Sequence, residues 1–183
     1  MKQLLFVLIA FTFFSCKEDG KVEEAVAKIP IEFKVERFDT LFWTSKPEDL
    51  QNIKAKYPFF FPNNNPDSIW LNKLKNPLLR ELYTEVQMKY SSLEEITTDL
   101  EKIFAHVQYY FPENKTPRVI TLINEVDTDG RVFYTDTLAL ISLDCYLGKE
   151  HRFYIDFPEF KKPEMEQNQI LPNLVTSFCY GKI

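Results

Sequence analysis

The two histidines, His106 and His151, are the residues that could most readily exchange protons or bind a metal near neutral pH. They lie far apart in the chain, so no HExxH zinc motif is present. Asp144, Glu150 and His151 follow an apolar segment and could gather at one strand end as metal ligands. A solvated loop accounts for the same residues more simply, and we expect no metal site.

Other chemical motifs are incomplete. Asp127-x-Asp129-Gly130 begins like an EF-hand calcium loop, but Arg131 and Leu138 occupy its fifth and twelfth positions, where oxygen ligands are required. We therefore expect a hairpin turn here. The chain also lacks the G-x-S-x-G, GxxxxGK[ST] and GxGxxG patterns of nucleophile elbows and phosphate-binding loops.

Cys145 and Cys179 lie among apolar or aromatic residues rather than beside the cations that activate a thiolate. Two interpretations stay open: both can be buried free thiols, or they can pair as a disulfide in an oxidising compartment. Neither interpretation produces a nucleophile. We predict no catalytic residues, no cofactor and no enzymatic activity.

Cys16 is a different kind of cysteine, because it follows a signal-like segment. Lys2 precedes an apolar run over 4–14, and the small residue Ser15 comes directly before Cys16. The run is shorter than the roughly 20 residues of a membrane-spanning helix and has the length of a signal-peptide core. The pattern resembles a bacterial lipoprotein signal, which predicts a signal peptide over 1–15 and a lipid on Cys16. The alternatives are an ordinary secretory signal and an N-terminal membrane helix.

The segment after the cysteine is polar. Lys17, Glu18 and Asp19 resemble a surface-export tag of some lipoproteins, but the residues up to Lys28 also fit a solvated linker. We favour the second interpretation and predict a flexible tether over 16–30, an anchor that faces the periplasm rather than the cell surface, and one domain over 31–183.

The composition supports one folded domain and excludes one class of partner. Hydrophobic residues make up 45% of the chain, and 17 Phe and 9 Tyr supply a large core. The net charge is −5, whereas binding of nucleic acid needs clustered Lys and Arg. We expect no nucleic acid partner.

Helical patterns come first along the chain and strand patterns follow. Capping residues and apolar spacing predict helices near 45–56, after Asn65-Pro66, and over 76–89, 92–107 and 166–180. Alternation and apolar runs predict a first strand over 31–36 that ends near 37–39, and further strands near 119–123, 132–134 and 137–143, with the last one central in the sheet. The fold class is therefore α+β: N-terminal helices, a small mixed sheet and a closing helix.

Three aromatic residues lie where no regular helix can form. Phe59, Phe60 and Phe61 are bracketed by Pro58 and Pro62. At least one ring should enter the core, and any ring that stays exposed is a candidate contact with another protein. The alternative is that all three are buried.

Several blocks of the sequence resemble the gliding-motility lipoprotein B family of the Bacteroidetes. The most specific are RFD at 37–39, KYPFFFP at 56–62 and LDCYLG at 143–148, and the resemblance covers most of residues 30–176. It implies a non-catalytic, lipid-anchored protein of the cell envelope that works with other envelope proteins in the gliding and type IX secretion machinery.

The resemblance also suggests an alternative function. The family is distantly similar to zinc-peptidase folds, in which a sheet precedes a helix with HExxH, but the segment 166–180 has no histidine. The alternative function is a degenerate or truncated zinc-peptidase-like hydrolase of the envelope. Family members continue beyond the closing helix, which implies a short copy, and we expect Leu171, Leu174 and Phe178 to be only partly buried.

Overall fold

Helices make up most of the molecule, and a small sheet lies at its centre. The computed structural model describes residues 19–182. Within them the α-helices are α1 (Asp19–Val26), α2 (Phe38–Trp43), α3 (Leu50–Lys56), α4 (Asp67–Lys75), α5 (Pro77–Lys89), α6 (Glu94–Tyr110) and α7 (Ile170–Tyr180). The strands are β1 (Val35–Arg37), β2 (Arg118–Leu122), β3 (Val132–Tyr134) and β4 (Leu138–Ser142). This architecture confirms the predicted α+β class, with helices before a mixed sheet and a helix at the end.

The sheet has the strand order β1-β2-β4-β3. β1 and β4 both pair in parallel with β2, whereas β3 pairs antiparallel to β4. β4 is therefore an interior strand, as predicted, and Ala139 and Ile141 are completely buried in it. Its continuous apolar sequence reflects burial on both faces of the sheet.

Two hydrophobic clusters meet at β2. Val119 belongs to a large cluster formed with α5, α6 and α7, while Ile120 belongs to a smaller, aromatic-rich cluster formed with α2 and α3. Successive side chains of a strand point to opposite faces, so one short strand contributes to both.

The N-terminal segment differs from the expected tether. From residue 19 it forms α1, and Val26 is buried. Glu23 also lies against His106 of α6, with 3.2 Å between carboxylate oxygen and Nε2. The polar composition of this segment concealed three apolar residues at helical spacing, Val22, Val26 and Ile29, which can pack on α6. The predicted signal peptide and Cys16 lie outside the described residues.

Helix starts agree with the sequence patterns only in part. Asn76 caps α5 as predicted, since its side chain accepts hydrogen bonds from the backbone N–H groups of Leu78 and Leu79. Asn65 does not cap α4, whose N-cap is Pro66 without a side-chain bond. The predicted first strand is short and begins only at Val35.

The predicted helix over 166–180 begins at Ile170, after 3₁₀ turns. The side of α7 that faces the core is more deeply buried than predicted. Leu174 and Phe178 are buried, while Leu171 is partly buried. The Phe178 ring lies 5.1 Å from the Tyr134 ring of β3 and 5.3 Å from the Phe111 ring, centroid to centroid. The expectation of partial burial was therefore wrong for these two residues, because β3 and the end of α6 supply the covering surface.

Candidate functional site

The carboxyl edge of the parallel strands is the first place to look for a site, because ligands of open parallel sheets bind there. Asp39 lies just beyond β1, Asn124 beyond β2 and Asp144 beyond β4. Both carboxylates are completely buried. A buried acid at this edge can be a general base, or it can be a structural acceptor, and its hydrogen bonds distinguish the two.

Asp39 is a structural acceptor. Its carboxylate receives hydrogen bonds from Arg37 Nη2 at 2.7 Å, Thr121 Oγ1 at 2.5 Å and Gln87 Nε2 at 2.9 Å. Arg37 also donates to the Tyr90 carbonyl oxygen. The cluster joins β1, β2 and α5, and it leaves the carboxylate paired with a cation and well supplied with donors. Such a group has neither the access nor the free lone pairs that a general base needs.

Asp144 holds a strained turn. Its two oxygens accept the backbone N–H groups of Asn124 at 3.1 Å and Val126 at 2.7 Å. Glu125 and Val126 have positive φ angles of 66° and 62°, which are unusual for a charged and rare for a β-branched residue. Burial raises the pKa of Asp144 to about 6, although the two N–H donors oppose that rise.

The histidines do not meet these carboxylates. His151 Nε2 lies 3.4 Å from Glu85 Oε2 on α5, and the His151 ring stacks on Phe153. His106 is on α6, where the hydrogen bond from Nδ1 to the Lys102 carbonyl raises its pKa. Over residues 19–182 no three His, Cys, Asp or Glu side chains are grouped so as to hold a metal ion. The hypothetical site of Asp144, Glu150 and His151 is therefore not assembled.

Cys145 and the Asp127-Thr-Asp-Gly130 segment are also structural. Both described cysteines are free, Cys145 buried and Cys179 exposed. Burial raises the pKa of the Cys145 thiol, which donates to the Asn124 side-chain oxygen. The Asn124 amide in turn donates to the carbonyl oxygens of Asp127 and Gly130, closing a turn before β3. The predicted hairpin is wrong, because β2 pairs with β4 and β3 pairs only with β4, so the strands on either side of this turn are not neighbours.

The three phenylalanines have three different environments. Phe61 is buried with 4% exposure, Phe60 is partly buried, and Phe59 is 46% exposed. The segment forms a 3₁₀ turn (Pro58–Phe60) that packs Phe60 and Phe61 against Phe38 of α2. Only Phe59 therefore remains a strong candidate for contact with another protein, and the alternative that all three are buried is wrong.

An ion pair lies beside the exposed Phe59 ring. Arg118 pairs with Glu36 across β1 and β2, and the Arg118 guanidinium lies 5.1 Å from the Tyr57 ring and 5.9 Å from the Phe59 ring. The hydrogen bond from Arg118 lowers the pKa of Glu36 to about 2. Phe59 is thus presented beside a cation that stays charged at any physiological pH.

The residues in the three most specific sequence blocks are mainly core residues. Phe38 and Asp39, Tyr57 and Phe61, and the whole of 143–147 are buried. The blocks at 37–39 and 143–148 therefore mark the points where β1 and β4 end, and the block at 56–62 marks the end of α3. Of these blocks, the one at 56–62 contributes Lys56 to a surface cavity beside α2 and α3.

The clearest open site is an apolar groove between α6 and α7, which we call the α6–α7 groove. Its volume is about 720 Å³, within the range of small-molecule pockets. Its lining residues share an apolar or aromatic character: Ile103, Val107, Tyr110, Phe111, Leu171, Pro172, Val175, Phe178 and Cys179. Asp99, Lys102 and His106 form a polar rim on one side. The groove can hold an apolar group and offers little acid–base chemistry.

The sequence patterns did not predict this groove. Val175 and Cys179 lie four positions apart on α7, and Val107 and Tyr110 three apart on α6, so each helix carries a second, outward apolar strip. Those spacings were the available signal, but only the packing of the two helices brings the strips together. None of the helices among residues 19–182 has the length and hydrophobicity needed to cross a membrane.

The chain is similar to a known protein family. The family model described as gliding motility protein GldB matches residues 19–183. No curated protein and no solved structure matches the chain.

Proposed function

Because this chain belongs to the gliding motility protein GldB family, we propose that it is a lipid-anchored, non-catalytic component of the gliding apparatus in the cell envelope. The observation that carries the proposal is the family match, which extends over residues 19–183. The anchor is a lipid on Cys16, directly after the signal-like segment. Its partners are other envelope proteins of the gliding and type IX secretion machinery, and it faces the periplasm.

The site geometry supports a binding role rather than catalysis. Asp39 and Asp144 are engaged by several donors each. The accessible features are an exposed aromatic ring at Phe59 and the α6–α7 groove, both suited to apolar contacts. We infer that the protein acts by holding partners and membrane together, with Phe59 as one contact.

The anchor is tested by replacing Cys16. We expect Cys16→Ala to remove labelling by a palmitate analogue and to release the protein from the membrane fraction, with loss of colony spreading. Cys179→Ala is the matched control, because Cys179 is an exposed cysteine of the folded domain. Equal labelling and equal membrane retention of both variants would contradict the lipid anchor.

The non-catalytic role is tested by metal analysis of the purified protein. We expect no stoichiometric zinc, since no metal-binding group is assembled among residues 19–182. One zinc per chain, lost together with hydrolysis of a peptide substrate on chelation, would instead favour the hydrolase.

A further inference from the structure

The α6–α7 groove lies close to the point where the described chain begins. Glu23 of α1 contacts His106, which also lies on the groove rim. Next to the groove, and sharing Lys102 and His106 with it, a second cavity is lined by residues between Glu23 and Ile29 together with α6 residues back to Thr98. α1 therefore runs antiparallel to α6, because a parallel helix would carry Ile29 away from Thr98.

This direction places the start of α1 near the carboxyl end of α6. Asp19 is one helical turn before Glu23, a rise of about 6 Å along the axis. That turn extends from His106 toward Tyr110, which lines the groove. The first described residue is thus beside the aromatic end of the groove.

The proposed lipid is only a short distance further along the chain. Cys16 precedes Asp19 by three residues, which span at most about 10 Å even when fully extended. The polar layer on each side of a bilayer core is about 5–8 Å thick. A lipid on Cys16 would therefore hold the start of α1, and the side of the molecule around it, at the membrane surface.

The residues on that side have the composition of a membrane-contacting surface. Tyr110, Phe111 and Val175 line the groove and are 59%, 37% and 42% exposed. Tyr109 is 38% exposed, and its ring packs against the Tyr110 ring. Tyrosine is enriched at membrane interfaces because its ring is apolar and its hydroxyl is polar. These side chains surround a groove whose walls are already apolar.

Charge contributes little to this surface. Lys102 on the groove rim is paired with Asp99 at 2.9 Å, and Lys182 nearby is paired with Asp136 at 2.9 Å. Paired cations offer weak attraction to anionic headgroups. The expected occupant is therefore an uncharged hydrocarbon chain, and a zwitterionic bilayer should be sufficient.

We propose that the α6–α7 groove is the face of the protein that lies on the bilayer, with its aromatic rim in the interface and lipid acyl chains of the membrane in the groove. This inference rests on the proposed lipid anchor, because the three-residue link from Cys16 is what directs this face to the membrane. The lipid would then fix the orientation of the domain, leaving Phe59 for partner proteins.

Cys179 provides a reporter inside the groove, since it is exposed and lines the wall. The lipidated full-length protein is labelled there with an NBD maleimide and added to preformed phosphatidylcholine vesicles. The control carries the same label at Lys75→Cys in a Cys179→Ser background. Lys75 is exposed on α4, whose apolar residues pack against the other hydrophobic cluster. Far-UV circular dichroism of both labelled proteins verifies that they are folded.

We expect the label on Cys179 to react about tenfold more slowly with aqueous dithionite than the label at position 75, because interfacial segments lie about 5–10 Å below the surface. Nitroxide-labelled phosphatidylcholine should quench the Cys179 label and leave the control bright. High salt should not change either result.

Flotation of the vesicles separates the two proposals. Protein that floats with the vesicles while both labels react equally with dithionite would overturn the bilayer-facing groove and leave the lipid anchor intact. Protein that carries no lipid and does not float would overturn both.

Discussion

At the scale of single residues, the two buried carboxylates behave differently because their donors differ. Asp39 is paired with the guanidinium of Arg37, whereas Asp144 receives only neutral backbone N–H groups. A cation compensates the loss of hydration of a buried carboxylate, and neutral donors compensate it less. Asp144 is therefore the carboxylate whose ionisation opposes folding.

This difference predicts a pH dependence. The pKa of Asp144 is about 6 in the folded state, above its usual 3.8, so the native state binds more protons than the unfolded state between these values. Its contribution to stability is therefore complete below about pH 4 and is lost as the pH rises to 6, by up to about 3 kcal/mol. Relative to an Asp144→Asn variant, the wild type should lose this amount between pH 4 and pH 7, as measured by urea unfolding.

The Asp144→Asn variant contains every other titrating group of the wild type, so the effects of those groups cancel when the two free energies of unfolding are compared. Glu36, for example, has a lowered pKa of about 2, so its contribution runs the opposite way and is lost as the pH falls from about 4.5 to 2. Because Glu36 is present in both proteins, its effect cancels in the difference. If the free energies of unfolding of the two proteins changed with pH in the same way, the pKa of Asp144 would not be raised by folding.

At the scale of elements, the two Asn-Pro pairs allow a matched comparison of helix caps. Asn76 accepts two backbone N–H groups at the start of α5, and Asn65 caps nothing. We expect Asn76→Ala to reduce the free energy of unfolding by about 1 kcal/mol, and Asn65→Ala to change it by less than about 0.5 kcal/mol. Chemical denaturation of both variants tests this, and equal effects would refute the role of the cap.

The aromatic segment gives a second comparison within one element. Phe61→Ala should destabilise the protein by about 3–5 kcal/mol, because Phe61 is buried against Phe38 and Trp70. Phe59→Ala should cost much less stability, since nearly half of the side chain is exposed, but should impair colony spreading if the ring contacts a partner. Normal spreading at wild-type protein levels would remove Phe59 as a contact.

At the scale of the whole molecule, the two hydrophobic clusters share one short strand. Val119 and Ile120 are adjacent in β2 and both are completely buried, one in each cluster. Loss of either cluster would expose one face of β2 to water. The clusters should therefore unfold together as one cooperative unit.

The positions of the tryptophans make this testable. Trp43 and Trp70 both lie in the smaller cluster, so fluorescence reports on that cluster alone. Leu100→Ala in the larger cluster should still lower stability measured by fluorescence by about 2–5 kcal/mol, with the same midpoint by circular dichroism. Leu78→Ala, at a 57% exposed leucine, is the control. A fluorescence midpoint unchanged by Leu100→Ala would mean that the clusters unfold independently.

Much of the fold could be predicted from local patterns. The cap at Asn76 depends on residues that are adjacent in the chain. The interior strand β4 and the order of helices and strands follow from the spacing of apolar residues, which repeats every two residues in a strand and every three to four in a helix. The sequence blocks that resemble a known family are local as well, and the family match confirmed them. The lack of complete catalytic motifs was visible for the same reason.

Burial and the groove could not be predicted in this way, because they depend on which distant segments meet. The sequence predicted that Leu174 and Phe178 are only partly buried, but β3 and Phe111 cover this part of α7. It also predicted a tether around Val26, whereas Val26 is buried because the segment packs on α6. The α6–α7 groove has the same origin: each helix carries a modest apolar strip, and only their packing joins the strips into a cavity. Periodicity specifies which face of a helix is apolar, whereas long-range contacts determine whether that face is covered.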